Sequence, residues 1–247
     1  MKYLPFLPSI LIIDECGCAK SQDIAIPVMA LGSSLKRIDL PGDPSKLPPL
    51  IFSKVAQKIW WKTVFAELIE RGCKTTRFNT EYRSHSRLCE WTSQLFYQGT
   101  VRSHYDTVQN PPAMLVDFSA NLPWLIPGRG TTSFQISSCS HFFNLPNGQC
   151  FYYPGGSSEN PMEADLAVSI AKFLCAIPNI CETDIMILSG YTRRVTPERG
   201  LCSIRVKTVD GSQADDALFM ILSTVRAEGN DLGFMQYAAR TNVATSR

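Results

Sequence analysis

The stretch Leu7–Lys20, LPSILIIDECGCAK, decides how this chain reads. An unbroken apolar run, Ile10 to Ile13, ends on two adjacent acids, Asp14 and Glu15. Three explanations compete for it. A secretory leader would start from Lys2, but Pro5 and Pro8 interrupt the apolar stretch, and acids stand where a cleavage site takes small residues. A buried strand that happens to end at acids is the second, because β-type residues without polar alternation suit a parallel strand covered on both faces. The third makes the acids functional: the carboxyl ends of such strands open onto the crevice where α/β sheets bind ligands. There Asp14 would hold Mg2+, directly or through water, and Glu15 would orient an attacking water.

The bounds are those of an ordinary globular chain. Its 247 residues can bury a sizeable core as one large domain or two modest ones. A composition 45% hydrophobic and 19% charged excludes a disordered chain. The net charge of +2, from 24 basic and 22 acidic residues, neither demands nor excludes a nucleic-acid partner. Nine scattered cysteines show no zinc-ligand spacing and no disulfide framework, which points to a reducing, intracellular compartment, cytoplasmic or nuclear. No apolar run approaches the ~20 residues that a membrane span needs.

Beyond the acids, Leu35–Ile51 predicts a short strand running into the turn Gly42-Asp43-Pro44, which would bring another acid to the end of a neighbouring strand. A helix is predicted from about Ser53 to Arg71, capped by Ser53 and ended by Gly72, with Trp60 and Trp61 as packing residues. Arg83, His85 and Arg87 cluster before a second helix through Trp91, Leu95 and Phe96. From His104 to Gly156 the chain is rich in Pro, Ser, Asn and aromatics; it reads as a long loop or insertion with one strand at Met114–Phe118. Asn160 as cap, Pro161 at the first helical position and Glu163 three after the cap mark a helix start, with Leu166, Ile170, Phe173 and Leu174 on its buried face. Strands Ile185–Leu188, Ile204–Val209 and Phe219–Leu222 follow, each ending in a polar turn. Strands alternating with helices predict an α/β fold with a mostly parallel sheet.

Seven short motifs then fall in one order: IIDECG, GDPSKLPP, NTEYRSHS, ILSGY, VKTVDGSQADD, LSTVR and RTNVATSR. In that order the chain resembles a superfamily 1 helicase of the nonsense-mediated-decay type, whose signatures read DEAxQ, GDPxQLPP, YRMHP, TPY, TVDGFQGxExD, STVR and RxNVALTR. The resemblance implies tandem RecA-like parallel sheets flanked by helices. Residues 1–76 would be the C-terminal part of the first domain, and 77–247 the second, with a loop-rich insertion at about 105–155. It implies ATP and Mg2+ as cofactors and single-stranded RNA or DNA as partner. Asp14 would serve the metal and Glu15 the water, while Arg83 and Arg247 would act as arginine fingers. Gly42, Asp43, Lys46, Gln213, Asp216 and Arg240 fall on nucleotide-contacting positions, and Ser189 and Tyr191 on a strand-end motif near the nucleic acid.

The chain also departs from the family. Cys18 and Lys46 replace glutamines, Ala214 a glycine and Leu218 an acid, and Tyr237 and Ala239 break the pattern around Arg240. No G-x-x-x-x-G-K-S/T phosphate loop occurs; Pro154-Gly155-Gly156 and Pro127-Gly128-Arg129-Gly130 lack its lysine and hydroxyl. In the family that loop lies upstream of the acidic pair, so the expectation is part of an ATP-dependent helicase, inactive in isolation. The alternative is a degenerate helicase-like module that binds nucleic acid or protein without ATPase activity.

Overall fold

The computed structural model describes residues 8–51, 53, 55, 56, 62–104, 132–137, 139–191, 203–213, 215–226 and 233–246. Arg247, Ala214, Trp60, Trp61 and the strand expected at Met114–Phe118 lie outside the described residues. The chain divides into two compact units, Met1–Arg77 and Phe78–Arg247. Both are mixed α/β with parallel strand pairs, consistent with the RecA-like reading.

In the first unit, β1 (Ile10–Ile12) pairs in parallel with β2 (Arg37–Asp39), Leu11 opposite Ile38. Parallel neighbours need a crossover, supplied by α1 (Ser21–Leu31). This helix carries no local signal, for physical reasons. Its N-cap Lys20 makes no side-chain cap bond, Pro27 sits inside it, and only Ile24 is buried, so neither a start signal nor an apolar stripe announces it. The strand is not covered on both faces as expected: Ile10 is 54% and Ile12 64% exposed. One crossover helix can shield only one face of a sheet.

The helix expected to run unbroken from Ser53 is interrupted before its last turns. Ser53 Oγ does accept from the Ala56 amide at 3.3 Å. Thr63, however, is extended and buried and accepts from the Ala66 amide at 3.1 Å, starting α2 (Val64–Glu70) afresh. Gly72, at φ +76°, closes it: its amide bonds Ile69 and the Cys73 amide reaches back to Leu68, satisfying two end carbonyls.

The second unit begins with β3 (Thr80–Glu81), α3 (Ser86–Phe96) and β4 (Arg102–Ser103), the two strands parallel. In the stretch read as loop, β5 (Thr132–Ser137) and β6 (Ser140–Asn144) form an antiparallel pair, and β7 (Phe151–Tyr152) near its end pairs antiparallel with β8 (Ser158–Glu159) just beyond it. Then α4 (Pro161–Cys175) starts where its cap residues predict, Asn160 Oδ1 accepting from the Glu163 amide at 3.2 Å.

Three parallel strands complete the unit: β9 (Ile185–Ser189), β10 (Arg205–Thr208) and β11 (Phe219–Ser223), ordered β10-β9-β11. Central β9 is buried throughout and packs with Leu166, Ile170 and Leu174 of α4. Each such fully buried aliphatic side chain contributes about 1.5–3 kcal/mol. Phe173 is only partly buried at the edge of this cluster. Last, α5 (Ala238–Thr245) lies against α3, where buried Asn242 donates from Nδ2 to the Tyr97 hydroxyl at 2.9 Å.

Candidate functional site

In the first unit the loops leaving β1 and β2 are packed together. The Ile13 amide donates to Asp39 O at 3.0 Å and the Cys16 amide to Pro41 O at 2.9 Å. A Cβ on Gly17 would stand 2.8 Å from Asp43 O, and one on Gly42 would stand 2.8 Å from the Gly17 amide nitrogen. Only glycine permits that approach, so the DECG and GDP motifs are two halves of one surface. Cys16 is fully buried beneath it, and burial pushes its thiol up to about 11, which makes it packing rather than a nucleophile.

The acids on this surface are shaped by the backbone. Asp14 is exposed and its Oδ1 accepts from the Glu15 amide at 2.8 Å. Glu15 holds φ +50°, an uncommon conformation for a residue with a side chain. The turn is tied by Cys18, whose amide and Sγ both donate to Glu15 O, at 3.0 and 3.1 Å. Asp43 Oδ1 accepts from the Ser45 amide at 2.9 Å, and the Lys46 amide donates to Asp43 O at 3.3 Å. Asp14, Glu15, Gly42, Asp43 and Lys46 thus all lie on these two joined strand-end loops.

In the second unit the predicted residues separate. Arg83 Nε lies 3.6 Å from an Asp216 carboxylate oxygen, so those two positions meet, both well exposed. Arg240 is committed: Nε and Nη2 reach the two Asp210 oxygens at 3.2 and 3.3 Å, and the guanidinium lies 3.8 Å from the Phe234 ring centroid. A fork closed on one carboxylate and stacked on an aromatic ring reads as structural. Gln213 ends the short turn after β10, half-buried. Ser189 and Tyr191, expected beside nucleic acid, are instead buried at 3% and 8% exposure. Ser189 Oγ accepts from the Tyr191 amide at 3.2 Å, and the Tyr191 hydroxyl accepts from Arg226 Nε at 2.8 Å.

Sequence reasoning took Glu163 as a capping residue and missed its larger role. Its Oε2 accepts from Ser223 Oγ at 2.6 Å and from the Val225 amide at 2.9 Å, while Asn160 Nδ2 donates to Val225 O at 3.3 Å. Val225 is β-branched and sits at φ +68°, a strained position held at both its amide and its carbonyl. The first turn of α4 therefore clamps the STVR turn and aims Arg226. Glu163→Ala is expected to destabilise the second unit by about 2–3 kcal/mol, because two inward donors lose their acceptor. Urea unfolding would check it; a cost under 0.5 kcal/mol would rule the clamp out.

Sequence comparison points to the same family. A family model described as AAA domain matches residues 61–247. The chain belongs to the AAA domain family, among the superfamily 1 helicases of the nonsense-mediated-decay type. It is 26% identical to the probable helicase MAGATAMA 3 of Arabidopsis thaliana over 96% of its own length and 29% of that protein. A regulator of nonsense transcripts 1 homolog from the same plant is 27% identical, with 96% of this chain and 18% of the relative covered. The ATP-dependent helicase upf1 of Schizosaccharomyces pombe is 29% identical, again over 96% of this chain and 25% of the relative. The chain thus spans under a third of the length of each of these relatives. Among the described residues, no helix is long and apolar enough to cross a membrane.

Proposed function

We propose that this chain is part of an ATP-dependent helicase that uses ATP turnover to move along single-stranded RNA or DNA. The observation that carries the reading is the junction of the DECG and GDP loops, which puts Asp14, Glu15 and Asp43 on one surface at the carboxyl ends of two parallel strands. Phosphoryl transfer asks a protein for little covalent chemistry: a metal site, a placed water and positive charge.

The donor set fits Mg2+ carried in on a nucleotide. Among the described residues no group of three or more His, Cys, Asp or Glu could cage a metal alone. Mg2+ does not ask for one, because it keeps several waters and takes one or two carboxylates plus substrate phosphates. Asp14 would hold it, and the ion would offset charge developing on the phosphate oxygens. Glu15, at φ +50° in the same turn, would take the water's proton. By resemblance Arg83 would supply charge to the γ-phosphate; its exposed pairing with Asp216 is worth at most about 1 kcal/mol and would yield to a phosphate. Arg247 remains a second candidate finger by resemblance.

A degenerate binding module is the second reading. It is favoured by Cys18, which spends its thiol on Glu15 O where the family presents glutamine. Because the sequence holds no phosphate loop, the test joins the chain to the phosphate-loop segment of a relative and assays ATP turnover with and without single-stranded RNA. RNA-stimulated turnover that Glu15→Gln removes supports the helicase; turnover absent or indifferent to Glu15 supports the module.

A further inference from the structure

The hairpin β7–β8 carries an exposed aromatic tied into the STVR turn. Tyr152 is 60% exposed, yet its hydroxyl accepts from Arg226 Nη1 at 3.0 Å, and the guanidinium carbon lies 4.8 Å from its ring centroid. The same guanidinium bonds buried Tyr191 and lies 5.6 Å from that ring. Gly233 packs closely against it: a Cβ there would stand 2.6 Å from both Arg226 Nε and the Tyr191 hydroxyl oxygen. Behind it the Glu163–Asn160 clamp fixes Val225. Three elements thus converge to immobilise a side chain that is left open to solvent.

That arrangement answers the burial of Tyr191. The position expected to meet nucleic acid serves as a buried post, and the exposed ring is Tyr152. An exposed tyrosine normally loses rotamer freedom when a ligand stacks on it; here the hydroxyl and guanidinium contacts have already fixed the ring. Aromatic side chains on single-strand-binding proteins stack on bases irrespective of sequence, and arginine beside them adds cation–π and phosphate attraction. We propose that Tyr152, held by Arg226, is a stacking platform for one base of a single-stranded nucleic acid. This rests on the nucleic-acid reading above.

The experiment measures binding of the full chain to labelled oligouridylate and to an abasic strand with the same number of phosphates, by fluorescence anisotropy. Tyr152→Ala is expected to weaken oligouridylate binding about tenfold, to leave abasic-strand binding within twofold, and to keep the thermal midpoint. Tyr152→Trp, with a larger ring, restores oligouridylate binding. Equal losses on both probes, no loss on oligouridylate, or a Trp variant as weak as the Ala variant would overturn the platform while leaving the helicase reading standing. A wild-type chain that binds neither strand would overturn both.

Discussion

Glu15→Gln is expected to lower RNA-stimulated ATP turnover of the phosphate-loop-joined chain by a hundredfold or more. A positioned general base contributes roughly 10²–10⁴ in rate, and glutamine keeps the shape of Glu15 while losing the ability to take a proton. The loss should fall on kcat with KM little changed, because Glu15 acts on the water rather than holding the nucleotide. Glutamine also keeps the ties that run through the backbone of residue 15, which accepts at its carbonyl from Cys18 and donates at its amide to Asp14. Thermal unfolding should therefore be unaffected. Steady-state kinetics on the two proteins check this; a kcat within fivefold of wild type would remove Glu15 from the chemistry.

Arg83→Ala should cost about 10³-fold in turnover if its guanidinium neutralises the γ-phosphate. Arg83→Lys should not rescue it, since a point charge cannot reproduce a planar fork. Thermal unfolding of Arg83→Ala provides the control: its one pairing, with Asp216 at 3.6 Å, is exposed, so the midpoint should stay within a degree or two of wild type while turnover falls. A clear fall of that midpoint would instead make the pair a structural contact. The contrast with Arg240 is physical: a two-pronged pairing with Asp210 and a ring at 3.8 Å hold that residue in place, whereas Arg83 has one long, exposed contact.

What could be read from the chain was local. The β-branched run before Asp14, the Asn160-Pro161 helix start and the three late strands each carry their signal within a few residues, and each forms where expected. Helix α1 was not legible, because its apolar residues encircle it and its cap is a lysine; it exists because parallel β1 and β2 need a crossover. The β5–β6 hairpin lacked any tight-turn signal between long polar stretches. In the candidate site, residue types and order pointed to Asp14, Glu15, Gly42 and Asp43. Their union depends on two glycines that clear the way for each other. Glu163 and Tyr152 stayed hidden because their meaning lies in contacts with Val225 and Arg226, more than sixty residues away. The burial of Tyr191 was not legible either: a strand-end tyrosine reads alike whether its hydroxyl faces a ligand or an internal arginine.

The most direct measurement is Mg2+-dependent binding of a fluorescent ATP analogue to the phosphate-loop-joined chain, wild type against Asp14→Asn. Asp14→Asn is expected to weaken binding at least tenfold with Mg2+ present, and the two proteins to bind alike in EDTA. Equal affinities with Mg2+, or an Asp14→Asn loss that persists in EDTA, would contradict a metal-bound nucleotide at the DECG loop.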